Sequence, residues 1–385
     1  MTSFDDLTKP SKEKETRARA LLNIIQSAIQ KEKGAIPFST YMALALYHPK
    51  FGYYTAHDFA IGKMGDFTTA PEITPLFART FAAQCADILS ASKTENILEL
   101  GAGSGQFASD LLIELARLNA LPRHYYIYEI SASLRQKQRQ KLQAKCPSVA
   151  HLVIFLDELP HDFEGVILGN EVLDALPVNL FRVENKRILE RVVTECDGEL
   201  SFDTREAPSF ATSLPNHLPE GYESEINLQL APFIERLSRS LKKGVILLAD
   251  YGYGRQEFYS PRRQNGTLSC FYQHQRVDNP LIWPGLLDIT AHVDFTTVIE
   301  TAHDAHCQLA GFTTQAAFLL ANGLLTLAGE LEKTLSAADQ VNLHHAIKTL
   351  TLPTEMGEVI KIIGLSKECD FPIRGFSFQD RRRDL

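Results

Sequence analysis

Residues 97–105 read Ile-Leu-Glu-Leu-Gly-Ala-Gly-Ser-Gly, and this stretch limits what the chain can fold into more than any other. Ile97 to Leu100 is apolar apart from one acid, as a buried parallel strand would be. Gly101, Gly103 and Gly105 let the backbone turn sharply and approach a ligand closely. Gln106 to Leu118 then carries Phe107, Leu111, Leu115 and Leu118 on one face, so the spacing predicts a helix. Strand, glycine turn and helix N-terminus make a nucleotide-binding corner of a doubly wound α/β sheet.

Glycine spacing bears on which nucleotide. The dinucleotide fingerprint G-x-G-x-x-G would need glycine or alanine where Gln106 stands. Glu99 lies two residues before the first glycine. A carboxylate there suits S-adenosyl-L-methionine (SAM), which has a cationic sulfonium, an amino-acid end and a ribose in place of a pyrophosphate. A second strand, Tyr125 to Glu129, ends in an acid about where such folds hold ribose hydroxyls. Asp157, after a third strand, suits an adenine amino group, with a solvated loop acid as the alternative.

Further along, Leu152–Phe155, Gly165–Gly169, Val245–Asp250 and Glu358–Leu365 read as buried strands, and Ser131–Lys145 and Phe295–Leu309 as helices. The fold class is therefore α/β with a mainly parallel sheet. Residues 15–33 have Leu21, Leu22, Ile25 and Ile29 at helical spacing, and Thr74 suits the cap of a helix running to residue 90. Residues 180–204 suggest a hairpin turning at Asp197-Gly198. Residues 34–75 and 251–293 show no clear period, and 47–75 and 251–293 are expected to act as lids. The expected organisation is an N-terminal region over 1–80, a first core half over 81–178, an insertion over 179–244 and a second core half over 245–385.

Charge narrows the partners. Lys and Arg number 39 against 47 Asp and Glu, a formal net charge of −8, which argues against nucleic acid. Six scattered cysteines make no CxxC pair, so reduced thiols are expected and no metal site. The apolar stretch Ala316–Ala328 is too short to span a bilayer and reads as a core helix. The N-terminal stretch has no apolar h-region and carries early acids, so a cytoplasmic protein is expected.

Residues at the carboxyl ends of the strands carry the chemistry. After the fourth strand comes Asn170-Glu171-Val172-Leu173-Asp174-Ala175-Leu176-Pro177. A helical turn there would set Glu171 and Asp174 on one face. Two carboxylates suit a guanidinium, or the proton that an amine must lose. The plainer alternative is Asn170 as a helix cap and Asp174 as an exposed acid. His292 precedes Asp294, a natural helix cap, and enters from the second long segment.

Together, GDFTTAPEIT (65–74), ILELGAGSGQF (97–107), GNEVLDALPV (169–178), DYGY (250–253), PGLLDITAHVDF (284–295), TTQAAFLLANGL (313–324) and MGEVIKIIGLSK (356–367) resemble the MidA-like SAM-dependent methyltransferases. The resemblance runs from about residue 34 to 378. It implies a Rossmann-like class I methyltransferase sheet with a smaller accessory lobe from the N-terminal region and insertions. It places SAM against Gly101, Gly103, Gly105 and Glu129, and maps the family's Asn-Glu pair onto Asn170 and Glu171 and its DALP acid onto Asp174. Mitochondrial members are complex I assembly factors that methylate a protein arginine, which implies a protein substrate here. Tyr253 stands where the family commonly has His, and Val172 and Leu173 replace aromatics. The expected site is thus Asn170, Glu171, Asp174 and His292 for chemistry, with Glu99, Gly101, Gly103, Gly105, Glu129 and Asp157 for the cofactor. A small-molecule methyltransferase, an NAD-dependent oxidoreductase and a non-catalytic SAM-binding assembly factor remain as alternatives. The oligomeric state stays open, a homodimer included.

Overall fold

The apolar runs form strands β1 (Asn96–Leu100), β2 (His124–Tyr128), β3 (Val153–Leu156), β4 (Phe163–Asn170), β5 (Leu241–Tyr253), β6 (Gln308–Thr314) and β7 (Ile360–Lys367). In the computed structural model, which describes residues 9–56, 68–206, 209–215 and 218–385, they line up as β6-β7-β5-β4-β1-β2-β3. Neighbours from β5 to β3 run parallel, while β7 is antiparallel to both β5 and β6. This is the expected Rossmann-like α/β sheet. Strand order reverses direction at β1 and β4, where such sheets bind ligands.

Register then fixes a site. Leu100 lies opposite both Tyr128 and Gly169, and Asn170 lies opposite Ala249. The residues directly after β1 and β2, the last residues of β4, and Asp250 of β5 therefore share one end of the sheet.

Helices α1 (Leu76–Ser92), α2 (Gln106–Arg117) and α3 (Ala132–Lys145) belong to this core. Phe77 of α1 packs on Phe81 and on Phe107 of α2, with ring centroids 4.8 and 5.6 Å apart. Burying each such ring contributes about 1.5–3 kcal/mol. Two expected helices are shorter than the sequence suggests. The helix from Phe295 stops at Asp304, because Gln308–Thr314 pairs with β7 as β6. Gly311 serves that strand: a Cβ there would lie 2.2 Å from the Phe376 ring. The run Ala316–Ala328 divides into Gln315–Ala321 and a second helix from Leu324, broken at Gly323 with φ +85°.

By contacts, the core unit comprises residues 68–172, 231–253 and 294–385, and a second unit comprises 1–67, 173–230 and 254–293. These borders fall at other places than 80, 178 and 244. The second unit has a sheet ordered Ala35–Pro37, Arg187–Cys196, Asn179–Glu184, Glu223–Ile226, with Glu199–Glu206 beside Arg187–Cys196. Asp197 and Gly198 turn the hairpin with φ +53° and +86°, a mirror-image turn that matches strand twist. Its N-terminal helix, Lys12–Lys31, buries Leu21, Ile25 and Ile29.

Neither long segment is irregular throughout. Phe38–Tyr47 is helical and buries Phe38, Tyr41, Met42, Ala45 and Leu46, a helical stripe hidden among aromatics. Residues 251–293 hold a three-stranded sheet of Ser269–Tyr272, Gln275–Arg276 and Asp288–Thr290. Strands this short leave almost no period to read. Residues 57–67 of the expected first lid, with Gly62 and Gly65, lie outside the described residues. Among the described residues no helix is long and apolar enough to cross a membrane, and no group of three or more His, Cys, Asp or Glu could hold a metal ion.

Candidate active site

Gly101, Gly103 and Gly105 all take left-handed backbone, with φ +57°, +52° and +78°. Side chains resist this region, which accounts for glycine at each position. The Gly101 N–H donates to the Tyr128 carbonyl at 2.9 Å, tying the turn to the end of β2. A Cβ on Gly105 would lie 3.3 Å from the Cα of Gln138, so α3 sits close above the turn.

Glu129 follows β2 and is buried. Its Oε1 accepts from the Ser131 N–H at 2.9 Å and its Oε2 from Gln138 Nε2 at 3.0 Å. The same Gln138 Nε2 donates to the Gly103 carbonyl at 2.9 Å, so one amide joins the glycine turn to the second acid. Burial raises the Glu129 pKa, and the Ser131, Gln138 and Arg135 contacts oppose that rise. Each oxygen keeps acceptor capacity for a further donor. Arg135 pins the neighbouring strand ends through the Glu129 carbonyl at 2.5 Å and the Leu156 carbonyl at 2.9 Å. It also pairs with Asp157 at 2.5 Å, and the Asp157 side chain is otherwise exposed.

Glu99 is set differently from its neighbours. Its side chain points into the core, where the Tyr125 hydroxyl donates to Oε2 at 2.7 Å. Burial pushes its pKa up to about 8, against a smaller lowering by the Tyr125 hydrogen bond. At neutral pH its neutral form predominates, so it brings a hydrogen-bonding group and little of the negative charge expected from the sequence.

At the end of β4 the chain turns abruptly. Glu171 has φ +52°, and its N–H donates to the Ala249 carbonyl at 2.8 Å. The next N–H, on Val172, donates to Asp250 Oδ2 at 3.1 Å. The expected helical turn does not form, because Glu171 takes left-handed backbone held by these bonds to β5. Glu171 and Asp174 consequently do not share a helix face. Asn170 Nδ2 donates to Glu171 Oε1 at 3.1 Å, while Asn170 Oδ1 is buried without a hydrogen-bond partner among the described residues. Val172 packs toward the glycine turn, 3.5 Å from where a Gly101 Cβ would lie.

Asp174 and His292 belong to the second unit. Asp174 is buried, and its carbonyl accepts the Ala291 N–H at 2.9 Å. The Tyr54 hydroxyl donates to buried Asp288 at 2.7 Å, and burial first, then Asp288, Tyr47 and Asp174, hold the Tyr54 pKa well above its ordinary value. The His292 N–H donates to Thr267 Oγ1 at 2.8 Å.

Sequence reasoning missed Gln138 and Glu72, and saw Asp250 at the end of its strand without giving it a role. The Ser104 hydroxyl of the glycine turn donates to Glu72 and accepts from Lys141 Nζ at 2.9 Å. Glu72 lies in the GDFTTAPEIT motif, which was the available signal. Gln138 and Lys141 lie one turn apart on α3, a spacing that a solvated helix face would also show.

A family model of S-adenosyl-L-methionine-dependent methyltransferases matches residues 77–313. The chain is 28% identical to the zebrafish (Danio rerio) protein arginine methyltransferase NDUFAF7, mitochondrial, covering 84% of this chain and 82% of that one. The Drosophila melanogaster homolog is likewise 28% identical, with 89% and 86% covered. A Burkholderia thailandensis protein crystallised with S-adenosyl-homocysteine is 37% identical and superposes with a TM-score of 0.94, covering 98% of this chain and all of that one. The expected cytoplasmic location is overturned: the zebrafish, frog and fly relatives are all named mitochondrial. N-terminal composition was too little to carry a location. This chain belongs to the family of S-adenosyl-L-methionine-dependent methyltransferases.

Proposed function

We propose that this methyltransferase acts on an arginine nitrogen of a protein substrate. The observation that carries the reading is the Asn170–Glu171 pair: a carboxylate held by a neighbouring amide, at the carboxyl end of β4, beside the glycine turn. The names of the zebrafish and fly relatives support the arginine acceptor. SAM supplies a methyl group already activated on a sulfonium sulfur, so the protein's task is alignment and exclusion of water.

The residues fit that cofactor. The left-handed turn at 101–105 has no side chains at its three glycines, Glu129 has spare acceptor capacity, and Asn170 Oδ1 is a buried acceptor lacking a donor. We assign Gly101, Gly103, Gly105 and Glu129 to holding it. Asp157 takes the adenine amino group with the oxygen that Arg135 leaves unused. Glu99 supports the turn from beneath. Glu171 grips the guanidinium and receives the proton that the methylated nitrogen must lose. Asn170 orients that carboxylate. In the second unit, Asp174 and His292 are the residues we assign to the acceptor protein.

The test is to incubate the protein with tritiated-methyl SAM and an extract of cells lacking it, then hydrolyse the labelled protein band. Methylarginine in the hydrolysate is expected. Label found only in small molecules, or only on another amino acid, would reject the arginine reading.

A further inference from the structure

We propose that Asp250 is a positioning residue for methyl transfer: it holds the backbone of Glu171 and Val172 in the one conformation that aims the Glu171 carboxylate. This rests on the role given to Glu171 above. Asp250 is buried at 1% exposure on β5. Its two oxygens are split between two peptide N–H groups. Oδ1 accepts from its own neighbour Tyr251 at 2.8 Å, and Oδ2 reaches across to Val172 at 3.1 Å. Glu171 itself sits at φ +52°, a left-handed region that side chains resist.

Something must hold it there, and β5 does so on both sides. The Ala249 carbonyl takes the N–H before the strained residue's Cα, and Asp250 takes the N–H after its carbonyl. The clamp also sets Val172 against the glycine turn, since its Cγ2 lies 3.5 Å from a Gly101 Cβ position and 3.7 Å from a Gly169 one. Thus one side chain on β5 couples the acceptor corner to the cofactor corner. Asparagine at this position keeps the shape, but turns an NH2 group toward one of the two N–H donors.

The test compares Asp250→Asn, Glu171→Gln and the double variant, with wild type as reference. Calorimetry gives SAM affinity, amide exchange of the cofactor-free protein reads residues 170–172, and transfer is timed with the band labelled above as acceptor. For Asp250→Asn we expect SAM affinity within about twofold of wild type, faster exchange confined to 170–172, and kcat lowered about 10²-fold with KM little changed. The double variant should be no slower than the slower single variant, because both changes remove one function. Unchanged exchange at 170–172, a wild-type kcat for Asp250→Asn, or multiplying effects in the double variant would overturn the proposal. If Glu171→Gln alone transfers at the wild-type rate, the reading of Glu171 fails, and the exchange result still decides whether Asp250 clamps the corner.

Discussion

The Tyr125 hydroxyl donates to Glu99 Oε2 across 2.7 Å, and both side chains are shut away from water. A carboxyl so placed stays protonated up to a pKa of about 8, against an ordinary value of 4.5. The native state therefore binds a proton that the unfolded chain releases above about pH 4.5. Stability from this group is fully present below that pH and is lost as pH rises toward 8, by up to about 1.4 kcal/mol per pH unit. Denaturant unfolding from pH 5 to 8 should show wild type losing stability relative to Glu99→Gln. No difference in slope between the two would mean that Glu99 is ionised in the fold.

Gly103→Val should abolish SAM binding. At φ +52° a branched side chain strains the turn and fills space beside the Gly103 carbonyl that Gln138 holds. Calorimetry on variant shown to be folded by circular dichroism is the check. Near-wild-type affinity would place the cofactor elsewhere.

Binding and chemistry should separate between the ends of β2 and β4. Glu129→Ala should weaken SAM binding by about 1–3 kcal/mol, the range for losing a charged hydrogen-bond partner. Gln138→Ala should weaken it by about 1 kcal/mol, because both Glu129 and Gly103 lose the amide that fixes them. Glu171→Ala should keep SAM affinity and stop transfer. Equal loss of affinity in all three variants contradicts this division.

Asp157→Ala should weaken SAM binding by only about 1 kcal/mol, since its side chain is 90% exposed and already shared with Arg135. Competition with adenosine, which has the same amino group, should show the same deficit. A variant equal to wild type would leave Asp157 as a surface partner of Arg135 alone.

Much of the core was legible because it rests on local signals. The run at 97–105, the strands through 170 and the turn at Asp197-Gly198 each carry their own periodicity or turn chemistry. The strand Gln308–Thr314 was not legible, because the β7 partners that make it a strand lie 47 to 58 residues away in the chain. The helix Phe38–Tyr47 hid inside a stretch rich in Gly, Pro and aromatics, whose flanks break up its period. At the site, glycines and acids next to strand ends stood out. Gln138 did not stand out, and Asp250 was visible only as an acid at a strand end, because what each does comes from what it touches: a glycine carbonyl 35 positions away and a peptide N–H 78 positions away. The helical turn expected at Glu171 failed for the same kind of reason: bonds to distant β5 hold Glu171 in left-handed backbone.

The position of β7 has a consequence for the chain as it leaves the ribosome. Ile360–Lys367 lies between β5 and β6, so the sheet stays open along β5 until Lys367 is made. At about 5–20 residues per second, the interval between finishing Tyr253 and finishing Lys367 is on the order of ten seconds. For that time the nascent protein presents a long, apolar, unpaired strand edge, which invites pairing with other chains. Truncation before Ile360, which removes β7, should therefore give aggregates during expression, even though every residue assigned to the cofactor and the acceptor would still be present.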